Sequence, residues 1–337
     1  SMDEYQQALD NGADAALVQI NMGRVLVRQG DSAGAMARYE KALEADPKNA
    51  VAHNNLGYEL YRAGKTDDAI QHYRAAIDAN PVFALPQINL GIALLDAGNA
   101  AEAAEQFRTA TRLEPGNPGA AYNLGRALAA QGDARGAFDA YSKTIALKSD
   151  FAEAHNNLGL LLQTDAAIPC FRRAVEINPA FTLAWNNLGN ALLEKGDAEG
   201  AMQAYNSALK QEPKDPFAHY NLGRLYDGQG KLDEAAAEYA KALEANPKYA
   251  MAWNNLGYLR ERQGNATEAE QQYRNAVDAD ARFAAPHTNL GRILCAQDRA
   301  PEAATEFDAA LNLLPAEDPA RAEIETLRQN CAPPATP

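Results

Sequence analysis

A short pattern, Asn-Leu-Gly, returns along this chain at a fixed interval, and such a period dictates a stacked array rather than a globule with one centre. It stands as Asn54-Asn55-Leu56-Gly57, Ile88-Asn89-Leu90-Gly91, Tyr122-Asn123-Leu124-Gly125 and Asn156-Asn157-Leu158-Gly159. It continues as Asn186-Asn187-Leu188-Gly189, Tyr220-Asn221-Leu222-Gly223, Asn254-Asn255-Leu256-Gly257 and Thr288-Asn289-Leu290-Gly291, with Ile20-Asn21-Met22-Gly23 as an early variant. Successive glycines lie 34 residues apart, except for an interval of 30 between Gly159 and Gly189. The 337 residues therefore contain nine units, starting near residues 16, 50, 84, 118, 152, 182, 216, 250 and 284.

Within a unit, position 8 is always Gly, position 20 always Ala (Ala35 to Ala303) and position 24 always Tyr or Phe (Tyr39 to Phe307). Position 7 is Leu except at Met22, position 27 is Ala except at Thr144, and position 32 is Pro except at Ser149 and Ala281. Positions 4, 7, 8 and 11 form one helical stripe and positions 20, 24 and 27 another, so each unit reads as a hairpin of helices A and B. A glycine near position 15, such as Gly30, Gly64 or Gly196, supplies the left-handed residue that ends helix A, and the proline near position 32 stops helix B. Gly at position 8 and Ala at position 20 carry no bulk, so the two helices approach closely and the ring at position 24 fills the space beside them. One hairpin cannot bury its apolar faces alone; stacked neighbours do so.

These residues resemble the tetratricopeptide repeat family over residues 16–317; the second unit shows the motif as Leu56-Gly57, Ala69, Tyr73, Ala76 and Pro81. The resemblance implies an all-α fold, an α-solenoid in which nine hairpins (the fifth shortened, 152–181) wind into a right-handed superhelix with the A helices lining a concave groove. Residues 318–331 read as a capping helix with Ala322, Ile324 and Leu327 inward and Arg321, Glu323, Glu325 and Arg328 in water. The Pro-rich tail 332–337 reads as disordered. Residues 1–15 read as a partial preceding repeat or an N-terminal cap: Tyr5 and Ala8-Leu9 match Tyr39 and Ala42-Leu43 one period on. A longer array entered part-way is the preferred reading, and Ser1-Met2 reads as a scar that leaves a removed targeting segment open.

The chain carries 31 basic and 45 acidic residues, a net charge of −14. Nucleic-acid affinity depends on neutralising phosphates, so RNA-reading helical repeats are disfavoured. No apolar run is long enough to span a bilayer and no signal-peptide pattern is present, so direct membrane insertion is not expected. The chain reads as soluble and bacterial, with cytoplasm and periplasm both open.

Chemistry is sparse. His53, His155, His219 and His287 share position 4 with Trp185 and Trp253, and read as half-buried packing residues; His72 reads as isolated in a B helix. Gly64-Lys65-Thr66 has Glu59 where a phosphate loop needs its first Gly, and Gly228-Gln229-Gly230 reads as a helix-ending turn. Asn265-Ala266-Thr267 fits a glycosylation acceptor, a permissive pattern. No nucleophile–base pair can be argued, so neither catalysis nor a cofactor is expected. The three cysteines make neither a disulfide framework nor a zinc cluster. Cys170 reads as a lone buried thiol. Cys295, at position 12 of the last A helix, and Cys331, on the capping helix, reach similar height if that helix stacks as another A helix would. A disulfide between them needs Cα atoms within about 7 Å.

Position 6 is Asn in every unit: Asn21, Asn55, Asn89, Asn123, Asn157, Asn187, Asn221, Asn255 and Asn289. It lies roughly 150° around helix A from the packed stripe and so faces the groove. A carboxamide offers one acceptor and two donors, complementary to a peptide group. With A helices about 10 Å apart and an extended peptide rising about 3.3 Å per residue, one Asn meets roughly every third peptide unit. The competing reading is that these asparagines hold neighbouring helices together. The unbroken ladder resembles the repeat arm of O-linked N-acetylglucosamine transferases, whose asparagines hold extended substrate peptides; no catalytic domain of that enzyme is present in these residues. Position 2 is often apolar (Leu17, Val51, Leu85, Leu183, Phe217, Met251), and Tyr58 continues that character; binding surface and helix-edge packing both fit. Position 9 carries Arg24, Arg126, Arg224 and Arg292, which could receive ligand carboxylates or pair with the chain's own acids. The carboxylate clamp of chaperone-binding relatives needs Lys at position 5, and none stands there.

In the fifth unit, aligning Thr164-Asp165-Ala166-Ala167 with Thr66-Asp67-Asp68-Ala69 removes about one helical turn at the hairpin tip, and Pro169 falls inside helix B, where it kinks or delays the helix. A tolerated loop deletion and a change of pitch that opens a notch both fit. Three functions follow: a scaffold for a protein or extended peptide, the substrate-recruiting arm of a larger enzyme such as a glycosyltransferase, and an array that self-associates through its convex face.

Overall fold

The structure, a computed structural model, describes residues 4, 5, 7 and 10–331. Ala8, Leu9 and the tail 332–337, on which an earlier helix and a disordered end were expected, lie outside the described residues. Nineteen helices and no strand occur among the described residues, and the chain divides between Leu162 and Gln163 into two compact units. The first unit holds α1 (Ala15–Arg28), α2 (Ser32–Ala45), α3 (Ala50–Arg62), α4 (Thr66–Ala79), α5 (Ala84–Asp96), α6 (Ala100–Leu113), α7 (Pro118–Ala130), α8 (Ala134–Leu147) and α9 (Ala152–Leu160). The second holds α10 (Thr164–Ile177), α11 (Thr182–Glu194), α12 (Ala198–Gln211), α13 (Pro216–Gly228), α14 (Leu232–Ala245), α15 (Ala250–Arg262), α16 (Ala266–Ala279), α17 (Ala284–Ala296), α18 (Ala300–Leu313) and α19 (Ala320–Cys331). Odd numbers up to α17 are A helices and even numbers B helices; in each unit they pack in chain order as an all-α solenoid of hairpins.

The hairpins begin and end for local reasons. Asp31, Asp133 and Asp197 cap B helices by accepting from the N–H of Gly34, Gly136 and Gly200 at 2.8–2.9 Å. At Gly64 (φ 78°) helix α3 closes with Gly64 N–H on the Tyr61 carbonyl and Lys65 N–H on the Leu60 carbonyl, which satisfies two orphan acceptors. In the ninth hairpin a non-glycine, Asp298, takes that left-handed place at φ 60°. Helix α9 has nine residues where α3 has 13, and Pro169 lies inside α10. The proline does not delay that helix, which starts at Thr164 as α4 starts at Thr66.

The glycine at position 8 and the ring at position 24 interlock. A Cβ on Gly57 would meet the Tyr73 ring at 2.9 Å, on Gly91 the Phe107 ring at 2.7 Å and on Gly223 the Tyr239 ring at 2.6 Å. Those distances are shorter than any real Cβ contact, so the ring packs on bare backbone. The position-20 alanines Ala35, Ala69, Ala103, Ala201, Ala235, Ala269 and Ala303 are fully buried behind it. At position 27, Thr144 is also fully buried and satisfies its hydroxyl by donating to the Ala140 carbonyl at 2.9 Å.

In six of the hairpins position 4 fastens the A helix to the turn before it. The Nε2 of His53, His155, His219 and His287 lies 3.0–3.2 Å from the carbonyls of Pro47, Ser149, Pro213 and Ala281. Trp185 and Trp253 donate Nε1–H to Pro179 and Pro247 at 2.9 Å. His and Trp exchange at this position because both bring a ring N–H to one carbonyl, which goes beyond the packing role expected of them.

The other histidine nitrogen faces position 23 of the same hairpin. His219 Nδ1 lies 2.6 Å from Glu238 Oε2 and His287 Nδ1 lies 2.7 Å from Glu306 Oε2, whereas His53 Nδ1 meets His72 Nδ1 at 2.9 Å. His72 is therefore not isolated. Arg38 closes the same pairing on Gln19 in the first hairpin, at 3.3 Å.

Two further expectations change. On α19, Ile324 is buried and Leu327 partly so, but Ala322 is exposed. Its neighbour Arg321 turns inward instead, donating to the carbonyls of Leu311 and Leu314 that the end of α18 leaves free. Cys170 is a free thiol but only partly buried, its Sγ 3.7 Å from the Ala166 carbonyl; burial raises its pKa. Cys295 and Cys331 are joined in a disulfide with Cα atoms 5.5 Å apart, tying α17 to α19.

Candidate functional site

The position-6 asparagines lie where consecutive A helices meet. Eight of them are half-buried, and Asn221 is buried at 6 % exposure. Asn89, Asn157, Asn255 and Asn289 each form a rung to position 5 of the preceding hairpin. Asn89 donates to Asn54 Oδ1 and Asn289 to Asn254 Oδ1, both at 2.9 Å. Asn157 donates to the Tyr122 hydroxyl at 3.2 Å, and Asn255 to the Tyr220 hydroxyl at 3.3 Å and the Tyr239 hydroxyl at 3.4 Å. Burial holds the Tyr122 and Tyr239 hydroxyls above their ordinary pKa, so they stay neutral. Seven residues further along, a second rung joins position 12 to position 13 of the next hairpin: Tyr61 to Asp96, and Asp227 to Arg262.

Where position 5 is isoleucine the rung cannot form. Asn55 follows Ile20 and Asn123 follows Ile88. Asn55 Oδ1 accepts from Asn54 at 3.3 Å and Asn123 Oδ1 from Arg126 at 3.1 Å, while neither Nδ2 has a partner among the described residues. These two amides keep both hydrogens free. At the seventh hairpin Asn186 donates from Nδ2 to Asp215 at 2.5 Å, while its Oδ1, the candidate acceptor, is buried without a hydrogen-bond partner among the described residues.

One turn before the ladder, position 2 is exposed: Leu17 at 55 %, Val51 at 43 % and Leu85 at 44 % in the first unit, and Leu183, Phe217 and Met251 at 44–54 % in the second. About half of each of these side chains is therefore open to solvent. Position 9 varies. Arg292 pairs with Glu261 at 2.8 Å and approaches Asn289, and Arg224 lies 5.9 Å over the Tyr220 ring. Arg24 is exposed without an ion-pair partner among the described residues. The structure brings Arg24, Asn55 and Tyr58 together in a cleft of about 250 Å³, with Val27, Arg28, Tyr39 and Glu59. Asn21 and Asn187 lie half-buried at equivalent positions on α1 and α11.

Sequence reasoning overlooked the rung acceptors Asn54, Tyr122, Tyr220 and Asn254, and the position-23 partners. The latter left only a constant separation of 19 residues, as in His53 with His72, His219 with Glu238 and His287 with Glu306. Among the described residues there is no cluster of three or more His, Cys, Asp or Glu able to hold a metal, and no helix long and apolar enough to cross a membrane.

A family model described as Tetratricopeptide repeat matches residues 20–82, 88–150, 220–282 and 262–322, and related models cover 152–181, 170–203 and 189–230. No curated protein matches the chain. Among solved structures, a tetratricopeptide repeat protein from Parabacteroides merdae is similar at 19% identity and TM-score 0.58, covering 74% of this chain and 98% of that one. Yeast Tom70 is similar at 14% identity and TM-score 0.52, covering 94% and 95%. YrrB, described as a TPR protein with an unusual peptide-binding site, overlaps 53% of this chain and 95% of its own at 22% identity and TM-score 0.46. The first two similarities speak to the fold alone. With the Gly–ring interlock repeated in both units and one family model spanning more than half of the residues, the chain belongs to the tetratricopeptide repeat family.

Proposed function

We propose that this protein is a non-catalytic protein-interaction scaffold, and that each unit holds an extended stretch of another polypeptide along its A helices. The observation that carries this is the pairing, in six of the nine hairpins, of an exposed apolar residue at position 2 with an amide one turn on, half-buried in all six but Asn221. The amide suits the bound backbone and the apolar residue a side chain. Each net hydrogen bond contributes about 0.5–1.5 kcal/mol, so the grip is additive and weakly selective. Rung formation and peptide binding are compatible at Asn89, Asn157 and Asn289, because a carboxamide has two hydrogens and these rungs use one, whereas Asn255 spends both on Tyr220 and Tyr239. The same grip would serve a substrate-recruiting arm, and the ladder's likeness to that of O-linked N-acetylglucosamine transferases favours this as the second reading.

The rungs make the test specific. Asn55→Ala/Asn123→Ala removes two amides whose hydrogens hold nothing within the protein. On an array of unstructured peptides of varied sequence, this double variant should lose signal across the array, while its stability falls only by what the lost acceptors of Asn54 and Arg126 cost, about 1 kcal/mol each. Asn89→Ala and Asn289→Ala, which break rungs, should each cost about 1 kcal/mol of stability. Wild-type array binding by the Asn55/Asn123 variant would sink the reading.

A further inference from the structure

The cleft between α1 and α3 has a charge balance unlike the rest of the first unit. Arg24 and Arg28, one turn apart on α1, are both exposed, and neither has an ion-pair or hydrogen-bond partner among the described residues. In a chain of net charge −14 this is unusual. Other arginines on the A helices are engaged: Arg62 with Glu59 at 3.7 Å, Arg126 with Asn123, Arg262 with Asp227 and Arg292 with Glu261. Facing the pair are Asn55, with both amide hydrogens unspent and its oxygen held by Asn54, and the half-exposed Tyr58 ring. The one acid of the cleft, Glu59, is 1 % exposed and committed to the Ser32 hydroxyl and Arg62, so it lies beneath the cleft rather than neutralising Arg24 and Arg28. Tyr39 closes the floor with a neutral hydroxyl, its pKa pushed up to about 12 by burial and by Glu59.

We propose that this cleft is a subsite for the carboxylate of an acidic side chain, so that the segment held by the first unit carries Asp or Glu opposite Arg24, Arg28 and Asn55. Two guanidinium groups and a free carboxamide are all donors, and the cleft directs no acceptor of its own at a ligand. A volume of about 250 Å³ takes a side chain and not a folded element. Tyr58 offers an apolar wall to the methylene stem. The inference rests on the peptide-holding reading above and narrows it to acidic segments.

The test uses the full chain and pairs of short acetylated, amidated peptides that differ only by Glu or Gln at one central position. The Glu peptide should bind about ten-fold more tightly, and the advantage should shrink as salt rises. In Arg24→Gln/Arg28→Gln the advantage should vanish while the Gln peptide binds as before. Equal binding of the two peptides by the wild type overturns the proposal, as does a Glu advantage that survives the double variant. An advantage seen only with an unamidated C-terminus also overturns it, since the site would then read a chain end. If no peptide binds at all, the peptide-holding reading fails by itself. The subsite is then read by titrating N-acetylglutamate amide and following the Arg24 and Arg28 Nε–H and Asn55 Nδ2 signals by NMR. Shifts there that are absent with N-acetylglutamine amide support it, and their absence overturns it.

Discussion

His53 on α3 and His219 on α13 sit at the same place in their hairpins, each with Nε2 on the carbonyl of the preceding turn, and the locks they form differ: the pKa of His72, the partner of His53, is lowered and that of His219 is raised. A backbone carbonyl only accepts, so Nε2 must carry hydrogen in both. Glu238 also only accepts, which obliges His219 to be an imidazolium donating from both nitrogens. The Glu238 hydrogen bond accordingly raises the His219 pKa, with burial opposing it and Lys241 doing so weakly, and Glu306 raises that of His287, again against burial. In hairpin two Nδ1 of His53 instead accepts from His72, a link between two neutral rings. Burial and His53 lower the His72 pKa, against smaller opposing effects of Asp68 and Glu40. The difference between a lock strengthened by a proton and one broken by it is a single residue at position 23.

The largest effect that sharpens this comparison is removal of the covalent tie that only the second unit has. Cys295→Ser/Cys331→Ser opens a link across 36 residues and should cost about 3–4 kcal/mol by loop-closure entropy. The second unit should melt earlier in calorimetry, with its pH response intact. Next comes Glu238→Gln, which strips His219 of its counter-charge and should cost about 1–3 kcal/mol at mildly acidic pH. In the wild type, the contribution of His219 and His287 is fully present below the unfolded histidine value of about 6.5 and is lost as pH rises through their raised folded values. For His72, lowered in the folded state, stability is present above about 6.5 and is lost as pH falls through the folded value. Hydrogen exchange on acidification should therefore show α13, α14, α17 and α18 gaining protection while α3 and α4 lose it; parallel slopes would refute the comparison. The smallest effect, about 1 kcal/mol, is expected of His72→Glu, which gives hairpin two the pairing of hairpin seven and should reverse the sign of its pH response.

Much of the hairpin was legible because its causes are local. Gly64 ends α3 by its left-handed backbone, and Gly57 bears the Tyr73 ring because no Cβ intervenes; both follow from residue type and spacing. The rungs were not legible, since whether Asn89 meets Asn54 depends on how far one A helix is offset along the next. A helical wheel gave position 6 its outward direction without revealing that a neighbour claims one hydrogen. Ala322 and Arg321 were misplaced for a related reason: the free carbonyls ending α18 draw a guanidinium inward, which apolar periodicity does not register. The His53–His72 contact lies between these cases, with both residues in plain view and only their separation of 19 residues to connect them.

The ring resting on bare glycine backbone has a bearing on how such a molecule can change length. Both partners of that contact belong to one hairpin, so copying or excising a whole 34-residue module carries each interlock along complete and asks no compensating substitution of the flanking modules. Growth by duplication is cheap here, whereas altering either member of a pair alone is penalised within its own module.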